Sequence, residues 1–281
     1  MNDSHRYFPR RSHRKEVSDT HGALEGAKHV PFSTASEALK ELQVRHGSTD
    51  ANITSPAIIS FCHVTKVFQD GSEKINAVNA TTFDIFPGEF VAIVGPSGSG
   101  KSTLLTLMGG LQKPTDGKIT LDGQSLDSMK SKALVKLRLD KIGFILQTSH
   151  LIPYLCIEDQ LKVVDRVRKT SFDATRSQQL LEQLNIWKLR SSFPSDISGG
   201  ERQRAAIARA LYPDPALILA DEPTASLDSQ RAFDVVKILA DAAHDRNKAV
   251  VMVTHDERML HYCDRVFRMS DGDLSEELIS R

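Results

Sequence analysis

The sequence predicts an α/β fold built on a mainly parallel sheet. Three observations carry that expectation. Short apolar segments alternate with helical patterns from residue 57 onward, as in a sheet whose strands are joined by helices. One apolar segment, Phe90 to Val94, runs directly into a glycine-rich loop followed by a helix. A helix-rich stretch at residues 150–200 interrupts the alternation once, as an insertion within one domain.

In chain order, Ala57 to Phe68 and Ala77 to Phe86 read as β-rich segments around a polar turn at Gln69 to Ser72. Pro87-Gly88 marks a tight turn before the Phe90 strand. Leu104, Leu105, Leu107 and Met108 place apolar residues at helical positions after the glycine-rich loop. Later strands are expected at Ile142 to Leu146, Ala216 to Ala220, Ala249 to Val253 and Arg265 to Met269, with helical runs at Ile157 to Arg168 and Ser177 to Asn185. No internal repeat is visible.

Composition narrows the function. Of 281 residues, 40% are hydrophobic and 26% charged, enough to bury a core. Lys and Arg total 36 and so do Asp and Glu, a balance that argues against a dedicated nucleic-acid binder. Cys62, Cys156 and Cys263 are far apart and too few for a disulfide framework or a four-cysteine zinc site, which fits a reduced, cytosolic chain. The longest apolar runs are about five residues, against about 20 for a membrane helix.

Residues 1–55 differ from the rest. They hold 8 Lys/Arg, 7 Asp/Glu and 5 of the 10 histidines, so a polar, disordered extension is expected ahead of a domain at 56–281. Arg10-Arg11 is followed by no apolar segment and so predicts no export signal. The histidines are scattered, which reads as a solvated tail. One short helix at 34–46 is suggested by the Thr34/Glu37 capping pattern, with Leu39 and Leu42 on one face.

Gly95-Pro96-Ser97-Gly98-Ser99-Gly100-Lys101-Ser102 fits G-x-x-x-x-G-K-[ST], with Thr103 next in the helix. Glycines let successive amides turn inward toward phosphate oxygens, and the helix adds its positive end. Lys101 is expected to reach the β- and γ-phosphates, and the Ser102 hydroxyl to ligate Mg²⁺. This loop predicts binding of a nucleoside triphosphate. The apolar strand at Leu217 to Ala220 delivers Asp221 and Glu222, of which the first suits the Mg²⁺ shell and the second a base polarising the attacking water.

A second glycine pair at a helix start, Ser198-Gly199-Gly200-Glu201 after Ile197, lies 97 residues beyond Lys101 and offers a second anion nest. With it the sequence resembles the ATP-binding cassette (ABC) ATPases, whose signature is L-S-G-G-Q/E, here with Ile197 in place of Leu. The resemblance covers residues 57–275 and extends to four further positions. Phe68, 27 residues before Gly95, matches the aromatic that stacks on adenine, where the family more often has Tyr. Gln147 matches the Q-loop glutamine sensing Mg²⁺ and the γ-phosphate, Ser226-Leu227-Asp228 the D-loop, and His255 the switch histidine.

The resemblance implies a P-loop cassette with an antiparallel β subdomain and a helical subdomain at about 150–200. It implies Glu222, His255 and Gln147 as the catalytic set, and Ser102, Gln147 and Asp221 around Mg²⁺. ATP would be sandwiched between Gly95 to Thr103 of one chain and Ser198, Gly199, Gly200 and Glu201, with Asp228, of another. A head-to-tail homodimer follows, driving a separate membrane permease from the cytoplasmic face.

The short spacing between the motifs and the single cassette set the chain apart from repair and translation ABC ATPases. Ile142 through Pro153 resembles the branch of the MacB and lipoprotein-releasing ATPases. Ser149-His150-Leu151-Ile152-Pro153-Tyr154-Leu155 and Ala220 to Asp228 further resemble the ATPase of bacterial haem-efflux transporters. That implies haem export. The alternatives are lipoprotein, drug or peptide efflux, or an envelope complex resembling the cell-division ABC pair.

Overall fold

The protein is described by a computed structural model that covers residues 56–71 and 73–277. The expected tail at 1–55 and its 34–46 helix lie outside the described residues.

A central six-stranded sheet forms from β3 (Phe90–Val94), β6 (Ile142–Ile145), β7 (Leu217–Asp221), β8 (Ala249–Val253), β9 (Arg265–Ser270) and β10 (Asp273–Glu277). Its order is β10-β9-β3-β8-β7-β6, parallel throughout except for β10. A second, antiparallel sheet has the order β2-β1-β4-β5, from β1 (Ile59–Asp70), β2 (Glu73–Ile85), β4 (Asp116–Leu121) and β5 (Gln124–Ser125).

The core lies on both faces of the parallel sheet. Phe90, Ala92 and Val94 pack toward one side with Ile218, Ala220, Val250 and Met252. Val91 and Ile93 pack toward the other with Leu217, Leu219, Val251 and Val253. Strands buried on both faces must be apolar throughout, which is why these read as unbroken apolar runs. Full burial of each Val, Leu, Ile or Phe contributes about 1.5–3 kcal/mol against chain entropy.

Helix α1 (Lys101–Met108) buries Leu104, Leu105, Leu107 and Met108 against the second of these faces. The helical region comprises α3 (Ile157–Arg168), α4 (Ala174–Gln183) and two 3-10 turns at Trp187–Leu189 and Pro194–Asp196. It joins α5 (Gly199–Leu211) and α6 (Ser229–His244) on the first face.

Several boundaries differ from the sequence reading. Gln69 and Asp70 continue β1, paired with Lys74 and Glu73, so the turn is tighter than the polar run suggested. Helix α4 starts at Ala174, before Ser177, because the Asp173 carboxylate accepts the Arg176 amide at 2.9 Å as its N-cap. The β6 strand ends at Ile145, so Gln147 sits two residues beyond it rather than closing it. Asp221 is itself the last residue of β7, paired with Val253.

Elements that escaped the pattern include β4, β5, β10, the helix α6 and the helix α2 (Ser131–Lys141), which buries only Leu137. Strand β4 passes a bulge in β1 between Cys62 and Thr65. Gly117 has φ +87°, and a Cβ there would stand 2.3 Å from the His63 carbonyl oxygen, so only glycine fits.

Candidate functional site

Parallel α/β sheets place ligands at the carboxyl ends of their strands. Here β3 ends in the Gly95 loop, β7 in Asp221-Glu222, β8 in Thr254-His255 and β6 two residues before Gln147. These strands are neighbours in the order β3-β8-β7-β6, so the four expected groups leave one edge of one sheet together.

Gly100 caps α1 with φ +108°, and a Cβ on it would collide with the Ala77 carbonyl oxygen at 2.1 Å. The loop is therefore wedged against β2 and cannot carry a side chain at that point. The first bond of the helix runs from the Leu104 amide to the Gly100 carbonyl at 2.9 Å. The amides of Lys101, Ser102 and Thr103 precede that ladder, in the position where helix ends hold anions. The Lys101 ammonium donates to the carbonyls of Gly95 at 2.8 Å and Pro96 at 2.7 Å, so it folds over the loop. Ser99 lies buried within it, its hydroxyl unpartnered.

Glu222 leaves the sheet in a left-handed conformation, φ +47°, which costs energy for a non-glycine residue and aims its side chain out of the strand direction. Its amide donates to the Val253 carbonyl at 3.0 Å, holding the turn to β8. Its carboxylate Oε1 meets His255 Nδ1 at 2.9 Å. The glutamate side chain is 15% exposed and the imidazole 74%, so a shielded carboxylate is paired with an open ring. The Thr254 amide donates to the Ile93 carbonyl at 3.2 Å and ties that ring's loop to the end of β3.

Ser102, Gln147 and Asp221 offer hydroxyl, amide and carboxylate oxygens, all hard donors. Among the described residues no group of three or more His, Cys, Asp or Glu side chains is placed to hold a metal. A single carboxylate with neutral oxygens fits Mg²⁺, which keeps waters and takes phosphate oxygens as its remaining ligands.

The second nest is a capped helix start. Ser198 Oγ accepts the Glu201 amide at 3.3 Å, while the Ser198 amide and hydroxyl donate to Glu201 Oε2 at 2.8 and 2.7 Å. Those bonds hold the Glu201 carboxyl below its ordinary range. The Glu201 side chain thus serves the helix. Ser198, Gly200, Glu201 and Arg204 share a recess with Ser226, Leu227, Asp228 and Arg231. Asp228 caps α6 through the Arg231 amide at 3.1 Å, and that bond, with the Arg231 guanidinium, lowers its carboxyl below the usual range. No residue of Gly95 to Thr103 lines this recess.

Phe68 stands on β1, 38% exposed as a residue, with Lys66 Nζ 5.0 Å from its ring centre. It shares a hairpin with Ala77, whose carbonyl abuts Gly100. The segment after Gln147 is held by two residues that belong to no nucleotide-binding motif. Arg209 of α5 donates to the carbonyls of His150 at 2.9 Å and Ser149 at 3.1 Å, and burial lowers its guanidinium below the usual range. Fully buried Gln160 of α3 binds the Ile152 amide at 3.1 Å and the carbonyls of Ile152 and Leu155 at 2.8 and 3.0 Å. The only sign of either in the sequence is a polar residue on the apolar face of a helix. His150 sits at φ +41° with Nε2 2.5 Å from the Thr148 hydroxyl.

Comparison with known proteins gives the family and the fold. The family model described as "ABC transporter" matches residues 78–225. A Staphylococcus haemolyticus protein named "Putative hemin import ATP-binding protein HrtA" is 42% identical over 216 residues, 75% of this chain and 96% of that protein. The Methanocaldococcus jannaschii "Uncharacterized ABC transporter ATP-binding protein MJ0796" is 39% identical over 226 residues, 78% of this chain and 96% of it. A dimeric structure of the MJ0796 cassette bound to ADP and Pi superposes with a TM-score of 0.74 at 35% identity, covering 78% of this chain and 97% of that one.

Proposed function

The chain belongs to the ABC transporter ATP-binding family, and on that premise we propose that it hydrolyses ATP at Glu222 to drive a separate haem-transporting permease. That it is an ATP-binding cassette ATPase of a transporter follows from the family itself. The residue roles, the metal and the cargo are the proposal.

The observation that carries the roles is the Glu222–His255 pair beside the phosphate loop. In the proposed reaction a water oxygen attacks the γ-phosphorus, the bond from that phosphorus to the β-bridging oxygen breaks, and ADP leaves. Glu222 Oε accepts the water's proton. His255, reaching the same carboxylate, orients it and meets the γ-phosphate. Lys101 and the amides at the start of α1 hold the β- and γ-phosphates, and Phe68 stacks on adenine. Ser102, Gln147 and Asp221 would hold Mg²⁺, which supplies charge neutralisation across those phosphates.

Ser198 to Gly200 of a second copy would complete each site; within one chain the recess at Ser198 and Gly200 includes no residue of Gly95 to Thr103. The solved cassettes that this chain resembles are dimeric, which supports a two-fold assembly. Among the described residues no helix is long and apolar enough to cross a membrane, so attachment to the cytoplasmic face would come through the permease. The cassette is proposed to span 56–281, with 1–55 as an extension outside it.

Haem as cargo rests on the Ser149 to Leu155 stretch and on the name of the HrtA relatives. That name says import, whereas the direction proposed here is outward. The two are separated by a clean deletion in the source cells. Export predicts haem sensitivity and a raised haem content, restored by the wild-type chain and not by Glu222→Gln. A lowered content reverses the direction, and no change in either removes haem and leaves lipoprotein, drug or peptide efflux.

A further inference from the structure

The parallel ladder that positions the candidate site stops short of two residues it must align. Strand β6 is the last strand of its sheet and has β7 as its one neighbour, and their register ends at Ile145 opposite Ala220. Beyond that pair the strands part. Leu146 and Gln147 follow outside the ladder, with Leu146 41% exposed, while Glu222 turns at φ +47°. Nothing in the ladder therefore fixes Gln147 relative to Glu222.

A side chain from outside the sheet spans the gap. Gln203, on α5 and 2% exposed, donates from the same Nε2 to the Leu146 carbonyl at 2.9 Å and to the Pro223 carbonyl at 3.4 Å. One acceptor belongs to the residue just before Gln147, the other to the residue just after Glu222. The two hydrogens of one primary amide thus replace the missing rung. Helix α5 is well placed to act as the brace. Gly143 of β6 lies so close that a Cβ on it would reach 2.6 Å from the Ala210 carbonyl oxygen, and Arg209 holds the carbonyls of Ser149 and His150.

We propose that Gln203 is a positioning residue for hydrolysis, fixing the spacing between Gln147 and Glu222 by clamping the two strand ends that carry them. It touches no nucleotide and acts through main-chain carbonyls. Because Gln203 lies five residues after Ser198 on the same helix, the clamp also joins the glycine nest of one half-site to the hydrolytic groups of the other. The proposal rests on the roles given above to Gln147 and Glu222.

Removing a buried amide that donates to two carbonyls leaves both without that donor, so the effect on a reacting geometry should be large. Full-length Gln203→Met keeps the length and removes both donors. Its kcat for ATP should fall about ten-fold while ATP affinity stays within about two-fold, since the phosphate loop is untouched. In a Gln147→Ala background the same change should lower kcat by less than about two-fold, because the positioned group is already gone. Gln203→Asn, one methylene shorter and able to reach one carbonyl at most, should fall between wild type and Met, and it carries the test if Gln203→Met does not fold. Wild-type kcat in both variants, equal loss of kcat and affinity, or full multiplication with Gln147→Ala would each overturn the assignment. Glu222→Gln run in parallel separates the two levels: turnover there would unseat the catalytic reading itself, whatever Gln203 does.

Discussion

His255 Nδ1 lies 2.9 Å from Glu222 Oε1, and the two residues leave the adjoining strands β8 and β7. Strand adjacency makes the pair: Asp221 is in register with Val253, so Glu222, one residue past its strand, and His255, two residues past its own, lie over the same edge. The strained turn at Glu222 then brings its carboxylate sideways to the imidazole. Two residues 33 apart in sequence become one unit.

Replacing Glu222 with Gln should lower hydrolysis at least about 100-fold, since an amide cannot accept the water's proton. ATP binding should persist, because Lys101 and the α1 amides are unchanged, and an ATP-bound dimer should accumulate. Phosphate release and size-exclusion chromatography with ATP measure both. Turnover near wild type would show that another group is the base.

Lys101→Ala should act on the other side of the reaction. The ammonium now lies over the Gly95 and Pro96 carbonyls, and its loss removes the cation facing the phosphates. Nucleotide affinity should fall by about ten-fold or more, as expected for a charge-assisted contact worth about 1.5–3 kcal/mol. Fluorescent-nucleotide titration checks it, and unchanged affinity would refute the contact.

Glu201 gives a pH signature. Its bonds to Ser198 lower its folded-state value below the ordinary 4.5, so its contribution to stability is present above 4.5 and is lost as pH falls through the lower folded value. Thermal midpoints of wild type and Glu201→Gln should differ most at neutral pH and converge as the medium is acidified. A difference that stays constant across the range would mean that the capping carboxylate is absent in solution.

Gly117→Ala tests the fold away from the site. The added methyl meets the His63 carbonyl at 2.3 Å and the backbone keeps φ +87°, which together should cost about 2–4 kcal/mol. Urea unfolding should show a lower midpoint, with ATP affinity of the folded protein unchanged. A midpoint equal to that of wild type would mean the β1 bulge relaxes without strain.

The sequence by itself determined the phosphate loop, the acidic strand end, the second glycine nest and the order of the parallel strands' apolar segments. These were legible because each is local: a strand buried on both faces is apolar throughout, and an anion nest needs glycines at fixed spacing. Strand β4 and helix α2 were not, since the first is half exposed and the second buries one leucine, leaving little periodicity to read. Only the tertiary structure decided that Glu222 faces His255 and that Glu201 caps its own helix. It also put Gln203 across the ends of β6 and β7. Strand neighbours and buried amide partners arise from residues distant in the chain, and no local pattern encodes where a side chain finds its acceptor once the sheet has been ordered.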